Sequence, residues 1–443
     1  MNGIDMYQSM ELIDDRHIEE ALCAKPVKRH AARRVVLKTA AMAAAVFLAF
    51  VTTINIFPVT ACALSSIPVL GDIARAVTVD PSMKECLAHS YVQYVGESQT
   101  VDGYHSEVYC MVVDASRISV FFTSDVPSYP ENEGEAYFTV ERITDNEGNE
   151  FSSSWGINET DTENLYECRV DMGDGEPIPD SLRFRIQYFT AAGYSDEVAS
   201  AEYTLYPDKQ YSTVVKSYEV NSKVEIMGQI IHIDRLDVYP TQAKLYFRTD
   251  EANTALLKDI AITLVDETGR TYPQRSNGTI GTGSGNGDVL SRWYESPYFG
   301  GATTLTAEIT AVSFLDKNAQ FGTVDYANKT ISHLPAGVSV ASMILDDNDT
   351  LEIALKVPDV ITSQVFSITY RDSKGKEYAS SSGYQWTSVY FAGYPNDEIH
   401  LEEEGYEYQV ISIANYRKDT YQVEWLYAPG TALETPIVIP VFD

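Results

Sequence analysis

The most continuous apolar stretch of the chain runs from Thr39 to Phe57, and no charged residue lies between Lys38 and Asp72. A helix of about 19 residues, at a rise of ~1.5 Å per residue, spans about 28 Å, close to the ~30 Å hydrocarbon core of a bilayer. The pattern therefore predicts a transmembrane helix over residues 35–57, followed by a juxtamembrane neck over residues 58–82.

A second apolar pattern precedes this segment. Between residues 4 and 22 the apolar positions recur at helical three- and four-residue steps without Gly or Pro. The predicted stripe consists of Met6, Met10, Ile13, Ile18 and Leu22, with His17 as the alternative to Ile18. An isolated helix of this length is marginal in water and too small to bury its own stripe. We therefore expect residues 1–34 to bind a partner, either a protein or the inner membrane face; the alternative is a weakly ordered tail.

Beyond residue 82 the pattern changes to the period-2 alternation of β-strands, and one hairpin signal occurs three times. Each copy is a β run, an Asp-x-x-Gly turn and a return strand that opens on an aromatic residue. The copies span 138–151, 260–272 and 365–378, with their turns at Asp145–Gly148, Asp266–Gly269 and Asp372–Gly375. Spacings of about 100 to 120 residues fit one β-sandwich domain each.

Other alternating runs repeat along with the hairpins. One group precedes the hairpins, at residues 118–125, 243–250 and 350–356, and another follows them, at 181–188, 304–312 and 406–413. We predict a mainly β protein with three tandem immunoglobulin-like β-sandwiches at residues 83–205, 206–340 and 341–443. They would lie outside a single N-terminal transmembrane helix that carries a short helical cytoplasmic head.

Charge separates the two sides of the predicted helix. The first 38 residues carry seven basic and six acidic side chains, and the rest of the chain carries 25 basic and 58 acidic ones, a net charge of −33. The basic cluster before the apolar segment places the N-terminus in the cytoplasm and the sandwiches outside the cell. So strong an acidity argues against nucleic acid as a partner, since no basic face is present to release counterions.

The five cysteines divide in the same way. Cys23 is on the cytoplasmic side, Cys62 follows the apolar segment, and Cys86, Cys110 and Cys168 are in the ectodomain. One disulfide is expected at most, either Cys86–Cys110 or Cys110–Cys168. A lipidated Cys62 after Val59-Thr60-Ala61 is the alternative to a retained anchor, but the long preceding segment favours the anchor.

Candidate chemistry is sparse. No two external histidines stand at metal-ligand spacing, and the glycine-rich run 281–287 lacks the Lys-Ser/Thr ending of a phosphate loop. The acidic run 346–349 lacks the later ligands of an EF-hand and is predicted to be a turn between strands. Trp155, Trp293 and Trp386 are more typical of core packing than of a sugar platform. We expect no catalytic residue, cofactor or metal site.

Three segments carry a resemblance to a known family. They are residues 63–71 directly after the apolar segment, residues 100–103, and the strand Val112-Val113-Asp114-Ala115-Ser116-Arg117 with its continuation to Phe122. The chain resembles, over roughly residues 1–205, the membrane family of Firmicutes called domain of unknown function 4179. The resemblance implies a single-pass membrane protein with a short cytoplasmic head, described for some members as anti-sigma-factor-like. It implies no catalytic residues.

The leading hypothesis is a non-enzymatic surface protein whose sandwiches bind an unidentified extracellular ligand while the head regulates a cytoplasmic partner such as a sigma factor. The alternative is a structural protein of the cell envelope whose head only anchors it. An enzyme such as a cell-wall hydrolase is a third, less favoured hypothesis.

Overall fold

The computed structural model describes residues 80–129, 135–151, 154–160, 164–190, 197–281, 289–346, 348–379, 383–386, 388–392, 398–416 and 421–443. The predicted head (1–34) and transmembrane segment (35–57), together with the neck up to residue 79, lie outside the described residues. Apart from Ala88–Ser90, all described residues belong to one compact unit made of Asp72–Leu87 and Tyr91–Asp443.

No helix among the described residues combines the length and the apolar character that a membrane crossing requires.

The described chain is mainly β, as the alternation predicts. Its only longer helix in this part of the chain is α1 (Pro81–Ala88), and α2 (Lys209–Ser212) and a 3-10 helix (Lys317–Ala319) are single turns. All described strand pairs are antiparallel and form sheets that pack in pairs around three hydrophobic cores.

The first sandwich pairs a five-stranded sheet of order β1-β2-β3-β7-β6 with a four-stranded sheet in which β8 pairs with β4, β5 and β9. Its core consists of alternate residues of both sheets, among them Val120, Phe122, Phe138 and Phe184. The strands are β1 (Gln93–Val101), β2 (Tyr104–Asp114), β3 (Arg117–Ser124), β4 (Ala136–Val140), β5 (Thr144–Asp145), β6 (Ser154–Glu159), β7 (Leu165–Asp171), β8 (Leu182–Thr190) and β9 (Glu197–Leu205).

The middle sandwich repeats this plan with sheets of order β10-β11-β12-β16-β15 and β14-β13-β17-β29. Its strands are β10 (Lys216–Ile226), β11 (Gln229–Val238), β12 (Ala243–Thr249), β13 (Ala255–Asp266), β14 (Thr271–Tyr272), β15 (Gln274–Gly281), β16 (Val289–Tyr294), β17 (Leu305–Asp316) and β29 (Gly430–Phe442). The strand that completes the second sheet is therefore the last strand of the chain.

The third sandwich has sheets of order β19-β18-β28-β22-β23 and β20-β21-β27-β24, and a separate hairpin of β25 and β26. Its strands are β18 (Phe321–Asp325), β19 (Thr330–Ile331), β20 (Ser339–Leu345), β21 (Leu351–Pro358), β22 (Phe366–Arg371), β23 (Glu377–Ala379), β24 (Gly383–Trp386), β25 (Ser388–Ala392), β26 (Glu398–Glu402), β27 (Tyr406–Ile413) and β28 (Tyr421–Trp425).

The middle and third sandwiches exchange strands across the expected boundary at residues 340 and 341. The strand β18, which follows directly after the middle sandwich, pairs with β28 of the third. The strand β29, which follows the third sandwich, pairs with β17 of the middle one and contributes Ile439 and Val441 to its core. The third sandwich is thus inserted before the last strand of the middle one, and the groups 206–340 and 341–443 do not follow the strand pairing.

The predicted strands occur where the alternation places them, but one has a different role. Tyr406–Ile413 is β27 and pairs with β21, whereas the strand beside β22 is β28. The counterpart of β8 and β17 in the third sandwich is therefore β28. Alternation fixes which residues face the core, but it does not identify the neighbouring strand.

The repeated turns have one geometry. In each, the glycine at the fourth position has a positive φ, +85° at Gly148, +82° at Gly269 and +75° at Gly375. In each, the aspartate Oδ1 accepts hydrogen bonds from the backbone two and four residues later. The acidic run that begins at Asp346 forms the same turn between β20 and β21, with Asp349 at φ +58° in the place of glycine.

Candidate functional site at the junction of two sandwiches

Two equivalent hairpin turns meet between the first and the middle sandwich. The β2–β3 turn contributes Asp114 and Ser116, and the β11–β12 turn, which occupies the same place in the middle sandwich, contributes Thr241 and Gln242. Their side chains are buried, with exposed fractions of 0% for Asp114, Thr241 and Gln242 and 3% for Ser116. Because these side chains are buried between the two sandwiches, their polar groups have to form hydrogen bonds with one another.

Asp114 is the acceptor at the centre of this junction. Its Oδ1 accepts from the Ser116 N–H at 2.9 Å and the Ser116 hydroxyl at 2.7 Å, and its Oδ2 accepts from the Thr241 N–H at 2.8 Å. The Gln242 side-chain amide donates to the Ser116 hydroxyl at 3.0 Å. Burial raises the pKa of Asp114, and the hydrogen bonds from Thr241 and Ser116 oppose that rise.

Arg117 supplies one cation of the junction and is only 2% exposed. Its Nε donates to Asp171 Oδ1 at 2.7 Å, and its guanidinium also donates to the side-chain oxygen of Gln242. Its Nη1 has no hydrogen-bond partner in the described structure and lies 3.6 Å from Asp80 Oδ2. Replacing a whole buried ion pair by apolar residues is often neutral for stability, whereas removing one partner alone is costly.

Helix α1 is docked into the same junction. Asp80 caps its first turn, because its Oδ1 accepts from the Met83 N–H at 3.2 Å, and Pro81 occupies the first helical position. The other carboxylate oxygen of Asp80 accepts from Arg275 of the middle sandwich, and Arg275 also donates to the Thr241 carbonyl at 3.1 Å. Burial lowers the pKa of Arg275 to about 10.

Further contacts of the helix also reach the middle sandwich. The Ser82 hydroxyl accepts from the Ser296 N–H at 2.7 Å, and the Cys86 thiol donates to the Pro240 carbonyl at 3.3 Å. Glu85 lies 3.5 Å from Arg270. Helix α1, which leads into the first sandwich, is therefore held by the middle one, so that the helix and both sandwiches share one set of contacts.

A second ion pair also joins the first and the middle sandwich. The Lys244 ammonium, on a side chain that is 2% exposed, pairs with Asp174, and Tyr246 donates to the same carboxylate at 2.8 Å. The ammonium lies 4.7 Å from the centre of the Trp293 ring and 5.0 Å from that of Tyr246. Aromatic faces replace part of the hydration that this buried cation loses.

Neither of the two possible disulfides is formed among the described cysteines. Cys86, Cys110 and Cys168 are free thiols, and each is buried. Cys168 packs in the core of the first sandwich, and Cys86 belongs to the junction. Burial raises the pKa of the Cys110 thiol to about 12, so that it stays protonated near neutral pH.

Met6, Met10, Ile13, Ile18 and Leu22 lie outside the described residues, so their role stays a prediction. Trp293 is buried at the junction, whereas Trp155 is 40% exposed on β6. No group of three His, Cys, Asp or Glu side chains in the described ranges is arranged to hold a metal ion.

Half of the junction lies in a segment that stands out in the sequence. Asp114, Ser116 and Arg117 belong to the segment that carries the family resemblance, while Thr241, Gln242 and Arg275 attract no attention as a sequence. The only available signal was three polar residues placed directly at the end of an apolar strand, and most such runs are exposed turns.

Two family models match this chain, one on each side of the junction. A family model described as domain of unknown function (DUF4179) matches residues 31–125, which confirms the resemblance. A second model, described as a family of unknown function (DUF5643), matches residues 215–335. The first match includes Asp80, Asp114 and Arg117, and the second includes their partners in the middle sandwich, so the junction joins the two matched regions.

Among solved structures, the crystal structure of the conserved domain protein from Bacillus anthracis is similar at 16% identity, with a TM-score of 0.35. The match covers 55% of this chain and 84% of that one. No curated protein matches this chain.

Proposed function

We propose that this chain is a non-enzymatic, single-pass membrane protein that binds a ligand outside the cell and regulates a cytoplasmic partner. In this proposal residues 35–57 span the membrane, residues 1–34 form the cytoplasmic head, and the sandwiches, which are immunoglobulin-like, form the acidic ectodomain. The partner is a regulator of the sigma-factor class, held by Met6, Met10, Ile13, Ile18 and Leu22.

The observation that carries the proposal is the docking of helix α1 on the middle sandwich. The helix lies between the predicted membrane segment and β1, yet Asp80, Ser82 and Cys86 all bond to residues of the middle sandwich. A change in the angle between the first two sandwiches would therefore have to move or release the helix. This gives a physical route by which a binding event on a sandwich reaches the neck.

The match to the DUF4179 model supports the same interpretation, because it runs from residue 31 to residue 125. One matched region thus includes the apolar segment, the neck, helix α1 and half of the junction. The alternative, an envelope protein with a purely anchoring head, would need the contacts of the junction only for rigidity and would give the head no partner.

The test is capture of the partner by the intact chain in its native cell. A photo-activatable cross-linker at Ser9, one helical turn before Ile13 and beside the predicted stripe, should give a single cross-linked cytoplasmic protein, and that product should be lost on Met10→Asp. The matched control is Gln8→Asp, which adds the same charge on the opposite side of the predicted helix and should leave the product unchanged. No specific product, or a product that survives Met10→Asp, would support the anchoring alternative.

A further inference from the structure

Among the described strands, the third sandwich has no counterpart of β1 and β10. In the first sandwich β1 pairs with β2, and in the middle sandwich β10 pairs with β11. In the third sandwich the counterpart of β2 and β11 is β20, and its only partner among the described strands is β21. One edge of this sheet therefore ends one strand earlier than in its two relatives.

The open edge still has backbone groups that can pair. The Asp346 N–H donates to the Thr350 carbonyl at 3.0 Å, so the alternation of an antiparallel ladder turns the backbone groups of Leu345 and Met343 away from β21. The Met343 carbonyl confirms this direction, because it accepts from the Lys329 ammonium at 2.8 Å. A lysine across an exposed edge is a common way to limit unspecific pairing.

The side chains of β20 are those of an inner strand. Ser339–Leu345 reads SVASMIL and contains no charge. Ala341 and Ile344 are half-buried and pack on the outer face of the sheet against a small cluster that includes Tyr408 and Val410. The Ser342 hydroxyl is buried and has no hydrogen-bond partner in the described structure.

We propose that the vacant position beside β20 is filled by β20 of a second copy of this chain. Two identical antiparallel strands related by a two-fold axis offer each other the same backbone groups, so their pairing is self-complementary. The strand itself carries no charge, so its own side chains place no like charges opposite each other in such a pair. The Lys329 ammonium has to leave the Met343 carbonyl before the second strand can bond there. The paired sheets would also join their outer apolar clusters around Ile344.

Net charge gives this contact a characteristic dependence on salt. Residues 39–443 carry a net charge of −33, so two ectodomains repel each other at long range. Salt screens that repulsion, since the Debye length falls from about 30 Å at 0.01 M to about 10 Å at 0.1 M. Pairing through a strand without charged side chains should therefore become stronger as salt is added, unlike a contact made by ion pairs.

The test is the mass of the intact chain in detergent micelles, measured by light scattering at low and at moderate salt. The mass should rise with protein concentration towards that of two copies, and more so at the higher salt. Ile344→Lys and Ile344→Glu should each keep the chain monomeric, because each would place like charges beside each other at the contact. An equimolar mixture of the two variants should restore pairing.

Ile368→Lys is the matched control, because Ile368 is 55% exposed on β22 in the opposite sheet of the same sandwich. It should leave the mass unchanged. If Ile344→Lys unfolds the sandwich, Leu345→Pro repeats the test, because it removes a backbone N–H that faces away from β21. The proposal would be overturned by a monomer at every salt concentration, by a dimer that is insensitive to both Ile344 substitutions, or by a mixture of the two variants that stays monomeric. Binding of a foreign peptide strand at this edge in place of a second copy would also overturn it.

Discussion

Asp372 and Tyr378 show how one residue type stabilises a repeated turn. The Asp372 carboxylate accepts from the N–H groups of Lys374 and Lys376 at 2.9 Å each and from the Tyr378 hydroxyl at 3.1 Å. The middle sandwich has the same arrangement, with Tyr272 donating to Asp266 at 3.0 Å. The aromatic residue after each turn was predicted as the start of a return strand, and the structure adds that its hydroxyl caps the aspartate.

In the first copy of the turn a different side chain bonds to the aspartate. Its aromatic residue is Phe151, which has no hydroxyl, and the second oxygen of Asp145 accepts instead from the Asn149 side chain at 2.8 Å. The return strand is also reduced here to a single bridge between Thr144 and Glu150. The repeat is thus conserved in its hydrogen bonds even where the side chain that supplies them differs.

These turns predict how stability depends on acid. Hydrogen bonds from the Lys376 backbone, and further ones from Lys374 and Tyr378, lower the pKa of Asp372. A carboxylate with a lowered folded-state pKa contributes stability above its unfolded pKa of about 3.9 and loses it as the pH falls through the folded value. Asp372→Asn keeps an acceptor oxygen but does not titrate. The urea midpoint of this variant should therefore fall less between about pH 5 and pH 2 than that of the unmodified chain.

The control for this measurement is Asp180→Asn, which removes one carboxylate whose side chain is 80% exposed. Its midpoint should follow the unmodified chain as the pH falls. Parallel curves for Asp372→Asn and the unmodified chain would mean that the turn contributes nothing to acid sensitivity.

At the scale of elements, the exchange of β18 and β29 is the feature that strand patterns do not reveal. The two connections between the middle and third sandwiches are short, residues 317–320 and 426–429, and they run next to each other. The Ser313 hydroxyl donates to the Ala428 carbonyl at 2.6 Å, and the Trp425 N–H donates to the Gln320 carbonyl at 2.9 Å. Two paired connections resist bending more than a single linker does, and the middle sandwich is completed only when the last strand is in place.

This arrangement makes the end of the chain part of a core. Ile439, which pairs with Ala307 and is 2% exposed, should cost about 2–5 kcal/mol of unfolding free energy when replaced by Ala. Its neighbour Val438 is 55% exposed on the opposite face, and Val438→Ala should change the free energy by no more than about 0.5 kcal/mol. Urea unfolding of both variants measures the difference, and equal effects would show that β29 does not complete this core.

At the scale of the whole molecule, the junction decides whether the first two sandwiches act as one body. Arg117 has three carboxylates or amides around it. Removing it leaves the Gln242 side-chain oxygen without this donor and leaves Asp171 with the Gln242 amide at 3.5 Å and Arg169 at 3.6 Å. Breaking a buried pair by removing one partner typically costs about 3–5 kcal/mol. Because the pair connects two domains, the loss should appear as opening of the junction before either sandwich unfolds.

Arg117→Ala should therefore increase hydrogen exchange at the N–H groups of Thr241 and Met83 while the core strands β3 and β12 keep their protection. Arg142→Ala is the control, since Arg142 pairs with Glu150 at 2.9 Å on the surface, where such pairs contribute about 0–1 kcal/mol. Unchanged exchange at Thr241 in Arg117→Ala would mean that the junction is held by other contacts, and the route from sandwich to neck would lose its basis.

The sequence by itself determined the class of fold, the approximate number of sandwiches and the place of each repeated turn, because alternation and Asp-x-x-Gly depend on local backbone geometry. It also carried the resemblance to DUF4179 that the family model confirms. Only the tertiary structure decided which strand lies beside which, since a strand presents the same alternation to any neighbour. The exchange of β18 and β29, the burial of Asp114 against Thr241, and the open edge of β20 all arise from contacts between residues far apart in the chain, which no local pattern records.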